Sequence, residues 1–213
     1  MGHTEQESPD GPERSVGDER MFDALDHGAP PLPAVIPPGS AAIAAAGQWG
    51  RYGSVVVLFR EGDGELYDDT YLMARSTDGR WQSPGVCGGG GMPEWVLNRP
   101  AEPLPTWRGN DLVDLSAQLA QPGKNAEVLT ELTVMATKRV ATVQVSYAGD
   151  VIDLPVPTCG LVTVPHAVHH ANDVAEFRGF GGSGDLIAVT HYQPLAGWDH
   201  EYFGWPDASL WAE

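Results

Sequence analysis

The chain has 213 residues, 29 of them acidic against 12 basic, for a net charge of −17 at neutral pH. So negative a surface repels phosphate backbones and anionic membrane, which disfavours nucleic acid and lipid as partners and suits a basic protein or a cation. An apolar fraction of 42% is enough for a core, but no apolar run reaches bilayer length and the N-terminus lacks a secretory signal, so the expected compartment is the cytoplasm.

Residues 1–47 read as a disordered arm. Its acids outnumber Arg14 and Arg20, and APPLPAVIPPGS stiffens it toward polyproline II, as a semi-rigid spacer. Ala41 to Ala46 has helix propensity, but Gly47 and Gly50 cut it too short to stand alone. The ordered part is expected over 48–197. Ser54 to Arg60, SVVVLFR, is nearly continuous β-branched and apolar, the pattern of a central strand buried on both faces. Glu61-Gly62-Asp63-Gly64 is a turn, Leu66 to Arg75 carries the next strand, starting near Thr70 in TYLMAR, and Thr77-Asp78-Gly79 leads into a returning strand at Trp81. A long Gly/Pro-rich loop follows over about 86–110, which Trp95 and Trp107 would pin to the fold. Leu112, Leu115 and Leu119 stand at helical spacing, so a short helix is expected over 111–119.

From Ala126 the pattern is β again. Leu132, Val134 and Ala136 alternate with Glu131, Thr133 and Met135, as a strand with one buried and one wet face would. The stretch 139–165 reads as a meander of three strands. Pro155 and Pro157 lie two apart, so both missing N–H groups fall on one side, which places 151–157 at a sheet edge. Val174 to Phe180, the turn GGSGD and Leu186 to Tyr192 form a closing hairpin. Eight or nine short strands with regular turns predict an all-β protein, an antiparallel β-sandwich. The run 132–189, LTVMATKRVATVQVSYAGDVIDLPVPTCGLVTVP to VAEFRGFGGSGDLIAV, resembles the immunoglobulin-like sandwich modules of many uncharacterised bacterial proteins. That resemblance covers about the last third of the chain; it implies scaffold or contact roles and carries no catalytic residues.

Four groups could carry chemistry. His166, His169 and His170, with Asp173 and His191, are the residue types of a zinc site, but their spacing matches no established ligand pattern. Glu61, Asp63, Glu65, Asp68 and Asp69 are hard oxygen donors suited to calcium, without the order of an EF-hand loop; surface charge on a turn is the simpler reading. Cys87 precedes the glycine run and Cys159 opens a strand; both are expected as free thiols, or as one bridge in an exported protein. Ser183 stands in a β-hairpin turn and lacks the context of a nucleophile elbow.

The segment 198–213 sets Trp198, Tyr202, Phe203, Trp205 and Trp211 among acids, a composition of tails that dock in apolar grooves or fold back over an open face. The reading is a non-enzymatic interaction or accessory protein with a protein partner and no cofactor, contacting it through the aromatic tail or the long loop. The alternative is a zinc- or calcium-dependent binding protein or enzyme that uses His166, His169, His170 and His191.

Overall fold

The computed structural model describes residues 16–87, 89–120, 129–168 and 174–192. Its elements are one helix, α1 (Asp18–His27), and the strands β1 (Ala41–Trp49), β2 (Tyr52–Arg60), β3 (Leu66–Arg75), β4 (Trp81–Cys87), β5 (Leu112–Ala120), β6 (Leu129–Ala136), β7 (Thr142–Tyr147), β8 (Asp150–Pro155), β9 (Leu161–Ala167), β10 (Ala175–Phe180) and β11 (Leu186–Tyr192). All pairings are antiparallel, and the protein is all-β. The strands form a first sheet in the order β1-β2-β3-β4, a middle sheet β5-β6-β9 and an outer sheet β11-β10-β7-β8.

Side-chain alternation stacks these sheets in layers. Val55 and Val57 of β2 join Met21, Ala24 and Leu25 of α1 in one cluster, while Val56 and Leu58 point the other way, into a cluster with Met135 and Leu161. On β6 and β9, Leu132, Val134, Val162 and Val164 face the outer sheet, packing on Val143, Val145 and Phe177. The order is therefore helix, first sheet, middle sheet, outer sheet. The middle sheet is enclosed from both sides, and every residue of β6 and β9 is buried.

Several expectations change. The arm expected over 1–47 is ordered from Val16 onward, because α1 is amphipathic and its apolar face covers the first sheet. Residues 1–15 lie outside the described residues. Ala41 to Ala46 is strand, since β2 supplies a pairing partner that outweighs alanine's helix propensity. β3 fills the whole of the expected segment Leu66–Arg75, starting at Leu66 ahead of Thr70. The short helix expected over 111–119 is β5. A bulge between Asp114 and Ser116 shifts the register there, and Leu112 and Leu115 pack into different clusters, so their helical spacing marks no common face. The face of β6 expected to be wet is covered by the first sheet. The meander also breaks: β8 is an edge strand beside β7, as its prolines require, and β9 crosses to pair with β6.

The long loop holds two single 3-10 turns, Glu94–Leu97 and Pro105–Trp107. Trp95 meets Trp107 edge-on at 5.4 Å, and Val96 and Trp107 are buried between the first and middle sheets. Arg60 holds the loop through both oxygens of Glu94, at 2.6 and 3.0 Å. Arg99 donates to the carbonyls of Ala136, Thr137, Val140 and Pro157.

Asp26 fixes α1 to the first sheet: it accepts from Trp81 Nε1 at 3.0 Å and pairs with Arg75, while the Gln48 amide donates to the Leu25 carbonyl. Asp26→Ala is expected to cost about 1 kcal/mol. Amide exchange over 18–27 should quicken ahead of the strands. Unchanged exchange there would show that the apolar face alone holds the helix.

Candidate functional site

The site lies between the first and middle sheets and arises from two similar runs. On β3, Leu66, Asp68, Thr70 and Leu72 share one face; on β6, Leu129, Glu131, Thr133 and Met135 do the same. Both read apolar, acid, threonine, apolar at every second position. Leu72 packs on Leu129 at one end, and Leu66 and Met135 share a cluster at the other. The runs therefore oppose each other in antiparallel sense, with each acid set toward the threonine of the other strand. Ser54 of β2 and Thr163 of β9 extend the polar layer.

Ser54, Asp68, Thr70, Glu131, Thr133 and Thr163 are all at most 3% exposed. Thr133 and Thr163 both donate to Glu131 Oε1, the second at 2.8 Å. Thr163 has given its proton to the carboxyl, so at the 2.7 Å contact with Ser54 the serine is the donor. Asp68 Oδ1 accepts the Gly90 N–H at 2.8 Å, which ties the glycine run to this layer. Glu131 Oε2, Asp68 Oδ2 and Thr70 Oγ1 are buried and have no partner. Among the described residues no Lys, Arg or His pairs with either acid.

Burial without a counter-charge favours the neutral carboxyl. It pushes Glu131 up to about 7, against the opposing hydroxyl donors and with a smaller push from the Asp68 charge. Asp68 is also raised by burial, with the Gly90 N–H working the other way. Around neutrality Glu131 is thus poised between a proton and a charge, out of reach of bulk water.

The histidines of the sequence reading are dispersed. His166 is buried between the middle and outer sheets, edge-on to Trp49 at 4.7 Å and to Tyr147 at 4.5 Å, with Nδ1 2.6 Å from the Ala167 carbonyl oxygen. His191 is on the solvent face of the outer sheet, 2.9 Å from Glu176. The outer sheet separates the two. His169 and His170 lie outside the described residues, as do Trp198, Tyr202, Phe203, Trp205 and Trp211. Among the described residues no group of three or more His, Cys, Asp or Glu could hold a metal. Cys159 is a buried free thiol donating to the Ala44 carbonyl at 3.2 Å, and burial raises its pKa. Of the acidic cluster, Asp68 leaves the turn for the core, while Asp63 caps the Glu65 N–H in the turn.

Sequence reasoning missed Glu131, assigning it to a wet face, and took Asp68 for surface charge. The available signal was the repeated run itself, LxDxTxL and LxExTxM, which sets an acid and a threonine on the face that carries the strand's apolar residues.

Fold and site define an all-β protein of three antiparallel sheets that encloses an unpaired pair of carboxyls; no helix among the described residues is long and apolar enough to cross a membrane. In comparisons with protein families, curated proteins and solved structures, nothing matches the chain.

Proposed function

We propose that this is a non-enzymatic interaction module, an acidic scaffold that docks a protein partner on the solvent face of its outer sheet and through the aromatic segment that follows. The observation that carries the reading is where apolar surface is left exposed. Of the five large hydrophobic residues exposed among the described ones, Val151, Val174, Leu186 and Val189 lie on or beside strands of the outer sheet; only Val35 lies elsewhere. On that face the register aligns Leu186, Phe180, Thr142 and Pro155 in one row and Val189, Arg178, Gln144 and Asp153 in the next. Apolar anchors interleaved with polar groups are the composition of a docking surface.

The chain leaves β11, an edge strand of the outer sheet, at Tyr192, and Trp198, Tyr202, Phe203, Trp205 and Trp211 follow in the segment 198–213. The tail is favoured over the long loop as the contact element, because Trp95 and Trp107 are already spent in the interior. Net charge of −17 selects a partner with a basic rim. The strand order β5-β6-β9 over β11-β10-β7-β8, seven strands divided three and four, supports an immunoglobulin-like reading of 112–192.

Tagged full-length chain is compared with Leu186→Glu/Val189→Glu and with a chain ending at 197, by affinity capture and quantitative mass spectrometry. A partner held by the parent is expected to be lost from both variants while their thermal midpoints stay within a few degrees. Identical captured proteins from all three chains would overturn the proposal.

A further inference from the structure

The segment before β1, the long loop, the turn after β6 and the turn before β9 meet around one small cavity. Its volume is about 170 Å³, below the ~300 Å³ at which pockets for drug-sized ligands begin, so it takes a group of a few heavy atoms. None of its lining residues is acidic, although acids outnumber bases 29 to 12 in the chain. It is lined instead by Arg99 and Lys138. Arg60, Arg75, Arg80, Arg139 and Arg178 each pair with a carboxylate, whereas among the described residues Arg99 and Lys138 have no ion pair. The Arg99 guanidinium is half-buried, and its acceptors are the neutral carbonyls of Ala136, Thr137, Val140 and Pro157. Those bonds use four of its five N–H groups and fix it in place, but they leave its charge uncompensated and one N–H on Nη1 without an acceptor.

We infer that this cavity binds a small organic carboxylate, with Arg99 and Lys138 as its counter-charges. The Asn98 amide and the Thr158 hydroxyl also line the cavity, and among the described residues neither side chain has a hydrogen-bond partner. Both can donate to a carboxylate oxygen, so every polar side chain around the cavity suits an anion. Leu32 and Leu97 form its apolar wall, packed against the core between the first and middle sheets. A short alkyl chain gains contact on that wall which an inorganic oxyanion does not, and this selects a carboxylate over phosphate. Arg99 is held by its carbonyls before the ligand arrives, so little side-chain freedom is lost on binding. The inference does not rest on the docking role, and either can fail without the other.

The test is titration of isotope-labelled full-length chain with sodium butyrate at constant ionic strength near neutral pH, followed by its assigned amide resonances. Sodium phosphate and butylammonium chloride are run in parallel. Butyrate is expected to move the amides of Leu97, Asn98, Arg99, Lys138, Thr158 and Cys159 along one saturable curve, with a Kd of about 1 mM. Phosphate should bind at least about tenfold more weakly, and butylammonium should leave these amides in place. Lys138 is exposed on a turn, so Lys138→Glu should fold as the parent does and weaken butyrate binding by about tenfold or more. Lys138→Gln, which only removes the charge, should weaken it less. No saturable shift at these amides up to about 50 mM butyrate overturns the inference, as does equal binding by the parent and both Lys138 variants. Phosphate bound as tightly as butyrate overturns the choice of a carboxylate.

Discussion

The stability of this protein is expected to fall as pH rises from about 4.5 to about 7, and Glu131→Gln should remove most of that fall. The sign follows from where the proton sits. Glu131 is raised from 4.5 to about 7 in the folded state by burial. Between those values the folded chain holds a proton that the unfolded chain has released, so raising the pH favours unfolding. Below the lower value both states are protonated and the full stability is present; above about 7 both are ionised and the loss stops. At about 1.4 kcal/mol per pH unit the displacement amounts to about 3 kcal/mol. Asp68, facing Glu131 across the layer and also raised, adds a contribution of the same sign. The glutamine variant keeps an acceptor for Thr133 and Thr163 and cannot ionise. It should match the parent near pH 4 and exceed it by about 3 kcal/mol at pH 8. Urea unfolding at a series of pH values measures the difference between the two chains and cancels the contribution of the surface acids. Parallel profiles for parent and variant would mean that Glu131 is hydrated or paired in solution.

Gly47→Ala should be among the most damaging single substitutions in the chain. A Cβ at Gly47 would lie 1.9 Å from the Thr163 carbonyl oxygen and 3.0 Å from its carbon. Both are backbone atoms of a strand buried on both sides, so neither can turn away as a side chain would. β1 and β9 must separate, which opens the first sheet from the middle one and pulls Thr163 from Glu131. A loss of at least about 3 kcal/mol is expected, at the upper end for overpacking. Gly62→Ala is the control, because nothing stands within 4 Å of its Cβ position. Chemical denaturation of the two variants decides: a Gly47→Ala chain within about 0.5 kcal/mol of the control would refute the close approach of β1 and β9.

Much of the fold was legible in period-two alternation and in turn chemistry. The hairpin of β10 and β11 and the edge position of β8 follow from local residues: alternation, a glycine-rich turn, two prolines on one side of a strand. What was not legible depends on partners distant in sequence. Ala41 to Ala46 carries no strand signal of its own and becomes strand because β2 pairs with it. β5 was hidden by leucines at helical spacing that pack on opposite sides of the strand, Leu112 into one cluster and Leu115 into another. A middle sheet covered on both sides should read as continuous apolar runs, but β6 carries Glu131 and Thr133 on its covered face and so imitates a strand half in water. The candidate site was misread for that same reason. Polar residues inside a core look like surface until the opposing strand is known, and here that strand stands some sixty residues earlier, at Asp68 and Thr70.

The hydrogen bond between Ser54 and Thr163 joins residues 109 positions apart. Such a contact closes only after the intervening chain has found its place, because the entropy of so long a loop is lost before the bond returns anything. The carboxyl layer is therefore expected to be completed late in folding, when β2 and β9 come together. Until then Glu131 is wet and ionised at neutral pH, and below about pH 7 closure takes up a proton. The speed of the last folding step should thus follow what the solvent can supply, giving the buried acid a kinetic role in addition to its place in the finished structure.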